Sequence, residues 1–358
     1  MKIILIISSL QGGGAERVIV NLGNYWVDSG FEVVLVTMDN PKNKEAYNLR
    51  REVKRRNIFY YPRHYLILKL FNYFSQIYRL RALIKIENPD SVISFMTPTN
   101  IMTIIACLGL GKHCVVSERT NSIMFSYGLI NDLLRRLLYR FSDEVVVQTN
   151  PIAKWLSVCT NANISVIPNF IRDKDIVGNG NGKKERIVIS VGRLVKEKGF
   201  DVLIRSYAKL SPMFPGWRLI ILGEGPEYQN LQILITENNL DQKVHLLGWV
   251  KDPFLFLNIA SIAVHPSSIE GFPNALLEAM ACGLPCIASY EAGDMLIKPE
   301  IDGILVPFGD AEKLEDALIR LIVNPNLRDR LGKNALQVRE RYSQDLVMKL
   351  WNAVSIRH

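Results

Sequence analysis

Long apolar runs, paired cysteines and low-complexity tracts are all missing from this 358-residue sequence. No window approaches the roughly 18 uninterrupted apolar residues that a bilayer span needs. The five cysteines, Cys107, Cys114, Cys159, Cys282 and Cys286, are odd in number and sit in apolar segments. They speak for reduced thiols in a cytosolic protein rather than a disulfide framework. Cys282-x3-Cys286 has no second Cys or His pair to complete a zinc site. Histidine is scarce too: His64, His113, His245 and His358 have no partner at ligand spacing, and His265, before Pro266, reads more as packing than as lining of a cleft. The N-terminal apolar run resembles a signal peptide but lacks a cleavage site and leads straight into Gln11-Gly-Gly-Gly14, so it reads as a first buried strand.

What is present is an ordinary soluble balance, 48% hydrophobic and 22% charged residues. The length favours two domains at about 100 to 200 residues each. The net charge of +8 is unevenly placed. Residues 1–172 hold 21 Lys and Arg against 12 Asp and Glu, whereas the remainder holds 22 against 23. Between Arg50 and Lys85 ten basic residues face only Glu52. Such a stretch attracts lipid headgroups, a pyrophosphate-bearing substrate or nucleic acid.

Short β-branched runs alternate with segments of helical length, the rhythm of a parallel α/β sheet. The first half offers strands at 2–7, 32–37, 91–95, 114–117 and 144–148, and the second at 187–191, 218–222, 244–247, 262–265, 285–289 and 303–306. Their unbroken apolar character suits burial on both faces. Two similar sheets predict two similar domains, residues 1–172 and 187–340. A polar Gly/Asn-rich linker is expected at 173–186, and a C-terminal helix within 341–358 is expected to return to the first domain.

Three strand-to-helix junctions carry candidate chemistry. Gly12-Gly-Gly14 before Ala15-Glu-Arg lets backbone amides approach an anion at a helix start, although a tight turn without ligand remains open. Gly192-Arg193-Leu194 with Lys198 puts two cations beyond a strand's carboxyl end, where open α/β sheets gather ligands; solvated surface cations are the alternative. They suit a pyrophosphate, planar arginine beside point-charged lysine. Glu270-x7-Glu278 sets one carboxylate in a Gly/Pro loop and the other on the following helix, where both can accept sugar hydroxyls. A carboxylate pair for glycoside hydrolysis is the runner-up for these acids. The helix start from Phe272 through Pro273 and Asn274 to Ala275 offers free N–H groups.

Together with Gly223-Glu-Gly-Pro226, these motifs resemble glycosyltransferase family 4 from about residue 8 to residue 306, and most resemble bacterial enzymes building O-antigen, capsule or glycoprotein oligosaccharides on a polyprenyl pyrophosphate. The resemblance implies the GT-B fold, two Rossmann-like domains with parallel sheets facing across a cleft. It implies that Glu278 holds the ribose hydroxyls and Glu270 those of the donor hexose. Arg193 and Lys198 would grip the diphosphate, with Gly192 beside them and Gly13 and Gly14 approaching from the other domain. The base would lie at Trp249, Val250 and Lys251, and Leu305 and Val306 would make backbone contacts to the nucleotide. The family transfers with retention and without a tightly bound metal, consistent with the absence of a convincing Asp-x-Asp site. No cofactor is expected beyond the donor, read as a UDP-linked hexose or N-acetylhexosamine, with galactose or N-acetylgalactosamine as the sugar.

The chain departs from the family where many relatives place a histidine beside the donor sugar. Here it reads Ser117-Glu118-Arg119-Thr120-Asn121, so that histidine's role cannot be transferred. Arg119 is expected instead to orient a phosphate and Glu118 to position Arg119, with Asn100 also on the acceptor side; a plain surface ion pair is the alternative. Retention is expected by front-face attack, because phosphate-binding residues are plain and no dedicated nucleophile is.

The run from Arg63 to Lys85, rich in Leu, aromatics and cations, is suited to lie in a headgroup layer, as is a shorter one from Asn131 to Phe141 with Arg135, Arg136 and Arg140. The bland reading is a core helix with solvated cations. Residues 50–85 are therefore expected to touch an anionic membrane, placing the protein in the cytoplasm, peripheral on the inner face of the cytoplasmic membrane. Three rivals are weighed. A nucleotide-sugar epimerase shares the fold and donor pocket but needs no acceptor surface. A nucleic-acid-binding protein leaves the junction motifs unexplained, so no nucleic acid is expected. A dehydrogenase needs Gly-x-Gly-x-x-Gly, which the glycine loop does not supply.

Overall fold

A computed structural model describes residues 1–40, 42–43, 46–58, 66–121, 123–171 and 184–356. Residues 173–183 of the expected linker, and residues 63–65 of the basic run, lie outside the described residues. The chain divides into two compact units, Met1–Asn169 with Val347–His358, and Phe170–Leu346.

The first unit alternates strand and helix: β1 (Lys2–Ile7), α1 (Gly14–Asp28), β2 (Glu32–Thr37), β3 (Lys54–Asn57), α2 (Leu66–Glu87), β4 (Ser91–Phe95), α3 (Thr97–Cys107), β5 (His113–Ser117), α4 (Leu129–Leu138), β6 (Glu144–Val147), α5 (Asn150–Thr160) and β7 (Ile164–Val166). All seven strands are parallel, in the order β3-β2-β1-β4-β5-β6-β7. Ile3 to Ile7 are buried on both faces of the sheet, so the strand shows no polar alternation. The second unit repeats the plan with β8 (Ile187–Val191), α6 (Phe200–Leu210), β9 (Arg218–Leu222), α7 (Tyr228–Glu237), β10 (Val244–Leu246), α8 (Phe254–Ile259), β11 (Ile262–His265), α9 (Asn274–Ala281), β12 (Cys286–Ser289), α10 (Tyr290–Gly293), β13 (Ile304–Val306), α11 (Ala311–Val323), α12 (Pro325–Ala335) and α13 (Val338–Arg341). Its sheet order is β10-β9-β8-β11-β12-β13, again parallel. Both halves are thus Rossmann-like, each with a switch in strand order, at β1/β4 and at β8/β11.

Two strands have no counterpart in the sequence reading, β7 and the edge strand β3. Lys54-Arg-Arg-Asn57 has no β-branched residue, yet it pairs with Val34–Thr37. Lys54 and Arg56 reach the buried carboxylate of Glu87 at 3.0 and 3.1 Å, which also holds Lys2 at 2.7 Å. The Lys2 hydrogen bond, reinforced by Lys54 against the cost of burial, holds the Glu87 pKa at about 2. Arg50 pairs with Asp28 at 3.2 Å, and Arg81 donates to the carbonyls of Ala106 and Leu108. These four cations of the basic stretch are therefore bound within the unit. In α2, Ile77, Leu80 and Ile84 enter the core, while Phe74, Tyr78 and Ile86 stay outside. No helix among the described residues is long and apolar enough to cross a membrane.

The last helix, α14 (Gln344–Ser355), belongs to the first unit from Val347 onward. Trp351 is fully buried there, edge-on to Trp26 at 6.4 Å and stacked on Phe95 at 5.9 Å. Trp26 Nε1 donates to Asn352 Oδ1 at 2.8 Å. Truncation of such a side chain leaves a large cavity. Trp351→Ala is expected to destabilise the first unit by about 3–5 kcal/mol, measured by denaturant unfolding, with Trp351→Phe losing clearly less.

Candidate active site

In the second unit the predicted donor-site residues lie in strand-end loops at the carboxyl edge of the sheet, in the strand β13 or in the first two turns of α9. β8 runs into Gly192-Arg193-Leu194, β9 into Gly223-Glu-Gly-Pro226, β10 into Gly248-Trp249-Val250 and β11 into Pro266 to Glu270, while Leu305 and Val306 end β13. The loops that follow β8 and β11 flank the switch in strand order, where a crevice opens in folds of this kind.

Close backbone approach fixes these loops. Leu194 N donates to Glu224 O at 2.8 Å, and Glu227 N to Leu194 O at 3.0 Å. A Cβ on Gly223 would stand 1.9 Å from Gly192 O, and one on Gly225 2.3 Å from Leu194 O, so this motif requires glycine for contact between main chains. Gly199 has φ +64°, and a Cβ there would meet Pro266 O at 2.2 Å and Phe308 Cε2 at 3.2 Å. Ser268 N binds Glu197 O at 2.8 Å. The segments after β8, β11 and β13 therefore converge on the turn that carries Lys198.

At that convergence Glu270 Oε1 accepts a hydrogen bond from Lys198 Nζ and another, at 2.7 Å, from His265 Nε2. Burial alone would raise the Glu270 pKa. The His265 hydrogen bond, with the charges of His265 and Lys198, outweighs burial and holds it at about 2. The carboxylate is thus ionised and aimed by two donors on one oxygen, which leaves Oε2 to accept from a hydroxyl. His265 is a functional candidate that the sequence reading set aside as packing; its place at a strand end five residues before Glu270 was the available signal. Arg193 lies exposed in the β8 loop, and its side chain makes no hydrogen bond or ion pair among the described residues.

Glu278 is buried in the second turn of α9, one helical turn beyond the start. Phe272 and Pro273 are buried and Asn274 half-buried. The helix has no side-chain cap; the Asn274 and Leu277 amides bind Phe272 O and Pro273 O, which leaves those of Ala275 and Leu276 to face an anion or a sugar oxygen.

In the first unit, Gly13 is the N-cap of α1 and Gly14 its first residue, at the carboxyl end of β1. Here Glu16 folds back over the loop and accepts from Ser9 Oγ at 3.0 Å. Burial raises its pKa, opposed by hydrogen bonds from Ser9 and from the Gly13 and Glu16 backbones. A Cβ on Gly13 would lie 2.1 Å from Glu16 Oε2. The glycine accordingly makes room for an internal carboxylate at the helix start where an external anion was expected.

The expected support of Arg119 by Glu118 is replaced by another arrangement. Glu118 is buried and accepts from Thr97 Oγ1 at 2.9 Å and from the Tyr139 hydroxyl, which also takes a bond from Asn100 Nδ2 at 3.1 Å. Asn100 is a member of that buried network and binds Ser117 O and Ser94 Oγ. Arg119 lies over Phe95 at 4.2 Å and Trp351 at 5.3 Å, and donates to Asn169 Oδ1 at 2.9 Å. Burial lowers its pKa to about 9. It is not a surface ion pair but an aromatic-clamped cation beside α14. A separate cavity of about 950 Å³, lined by Lys184, Arg186, Trp217 and Arg328 among others, lies at the amino ends of the second sheet, the edge opposite Glu270.

Comparison with known proteins agrees with this plan. Residues 12–174 match the family Glycosyltransferase Family 4, and residues 171–338 match Glycosyl transferases group 1. The chain is 28% identical over 341 residues to the GalNAc-alpha-(1->4)-GalNAc-alpha-(1->3)-diNAcBac-PP-undecaprenol alpha-1,4-N-acetyl-D-galactosaminyltransferase of Campylobacter jejuni, covering 94% of this chain and 93% of that one. Among solved structures it resembles sucrose-phosphate synthase from Thermosynechococcus elongatus, with TM-score 0.85 and 20% identity over 99% and 98% of the two chains. It also resembles Anabaena HepE in complex with UDP-glucose, with TM-score 0.80 and 17% identity over 99% and 100%.

The depressed pKa of Glu270 has a signed consequence. Its contribution to stability is complete above the ordinary glutamate value of 4.5 and is lost as pH falls through about 2. Glu270→Gln should therefore melt below the wild type at neutral pH, and the gap should close progressively through this acid window in thermal scans followed by circular dichroism.

Proposed function

Since this chain belongs to the glycosyltransferases of family 4, with a group 1 domain as its C-terminal half, we propose that it moves a hexose or N-acetylhexosamine from a UDP-sugar to a polyprenyl-pyrophosphate-linked oligosaccharide, with retention of configuration. The sugar proposed is N-acetylgalactosamine or galactose. The carrying observation is the ionised Glu270 held by Lys198 and His265 at the switch between β8 and β11. In this reading Glu270 accepts from a donor-sugar hydroxyl and Glu278 binds the ribose. Lys198 and Arg193 offset the charge of the departing diphosphate, work that needs no tightly bound metal. The leaving phosphate takes the acceptor's proton in a front-face attack, with catalysis by positioning and charge stabilisation. The Campylobacter jejuni relative, named for an undecaprenol-linked acceptor, supports the acceptor class, and the UDP-glucose complex of a fold neighbour is in keeping with the donor class. Such an acceptor places the enzyme on the inner face of the cytoplasmic membrane, held peripherally.

The deciding experiment incubates a panel of nucleotide sugars with a polyprenyl-pyrophosphate oligosaccharide and reads the products by mass spectrometry and anomeric NMR. One added hexose or N-acetylhexosamine in the retained configuration is expected. Release of an epimerised sugar without transfer would replace the reading with an epimerase. Lys198→Ala and Arg193→Ala should each lower kcat by about 10²-fold, whereas Glu278→Ala should act chiefly on the donor KM. Dialysis against EDTA should leave the rate unchanged.

A further inference from the structure

The polar and apolar sides of α4 are largely exchanged relative to an ordinary surface helix. Arg135, 3% exposed, turns inward under the Trp155 ring at 5.0 Å and pairs with Asp132 at 3.2 Å. Asp132 also accepts from Ser126 Oγ, and Asn131 donates to Tyr127 O at 3.0 Å. Leu134 and Leu138 pack on the core. The outer stripe is Leu129, Ile130, Leu133, Leu137 and, just past the helix, Phe141, which are 90%, 75%, 57%, 45% and 53% exposed. These positions recur at helical spacing on one face, and Met124, 64% exposed, extends the apolar surface into the preceding loop. A contiguous exposed patch of this kind marks an interaction surface.

The charges on the stripe identify its partner. Arg136 and Arg140 are exposed between the leucines, whereas Asp132, the single acid between residues 123 and 141, is committed to Arg135 and Ser126. An apolar ridge set among cations fits a bilayer surface, leucines at the acyl boundary and guanidinium groups among anionic phosphates. By contrast, Lys54, Arg56, Arg50 and Arg81 of the basic run are bound to partners within the unit. We propose that the outer stripe of α4, rather than residues 50–85, is the principal surface by which this protein docks on an anionic membrane. The inference rests on the lipid-linked acceptor reading, since docking there brings the enzyme to the layer that holds such a substrate.

The test is co-sedimentation with phosphatidylcholine vesicles with and without phosphatidylglycerol. The wild type should bind the anionic vesicles, less so at high salt. Leu133→Asp with Leu137→Asp should weaken binding by about tenfold or more, and Arg136→Glu with Arg140→Glu should abolish its salt dependence. Phe74→Asp with Tyr78→Asp, on the exposed side of α2, should have little effect. All three double variants alter exposed positions and should melt like the wild type and transfer sugar normally to a water-soluble short-chain acceptor. Unchanged vesicle binding by the Leu133/Leu137 variant, or loss of binding only in the α2 variant, would overturn the proposal. So would a wild type that ignores vesicles and forms a dimer dissociated by the α4 changes, because a second copy would then cover the stripe. Absence of transfer to the soluble acceptor in the wild type would sink the acceptor reading while leaving the vesicle result intact.

Discussion

A carboxylate withdrawn from water is unfavourable by several kcal/mol unless donors and opposite charge meet it. Glu270 is in that position, and Lys198 and His265 meet it on one oxygen. This contact constrains the rest of the second unit. The lysine follows β8, the histidine ends β11 and the carboxylate follows β11, so the three side chains meet only because those strands are parallel neighbours across the switch in strand order. The glycines serve the same convergence. Gly199, Gly223 and Gly225 let main chains approach where any Cβ would collide. The result is an acidic group of fixed charge and direction at the carboxyl edge of the sheet, the edge that also carries the exposed Arg193 in the β8 loop and the start of α9, a combination suited to a sugar joined to a diphosphate.

The first unit uses the same topology for other chemistry. Its switch lies between β1 and β4, yet the glycine loop at the end of β1 is occupied by Glu16. Beyond β5 the polar residues turn inward as a satisfied network of Glu118, Tyr139, Thr97 and Asn100, and Arg119 is clamped by the aromatic rings that also seat α14. Polar groups here stabilise the unit from within, while the outer side of α4 is left to leucine and arginine.

The parts of the fold readable from the residues were those where one physical rule acts alone. A strand buried on both faces is apolar along most of its length, so β1, β2, β4, β5 and β6 and all six strands of the second sheet announce themselves. β3 does not, because Lys-Arg-Arg-Asn is held at an edge by pairing with β2 and by a buried acid 31 residues beyond Arg56. β7 is a three-residue run, too short to display a period. The same reasoning governs the site. Cations and acids at strand ends were visible from spacing, whereas His265 had only its nearness to Glu270 as a signal, since a histidine before a proline has the same local pattern whether it packs or donates.

Residue order alone set the alternation of strand and helix, the doubling of that pattern, the glycine-rich junctions and the family likeness, because propensity and periodicity are local properties. Folding decided which charges are spent inside and which remain available. Glu118 and Arg119 are adjacent in the chain yet serve a buried hydroxyl network and an aromatic clamp, and Arg50, Lys54, Arg56 and Arg81 of the most basic stretch are bound within their own unit. Neither outcome is encoded in neighbouring residues, since each depends on partners that long-range packing alone brings within hydrogen-bond reach.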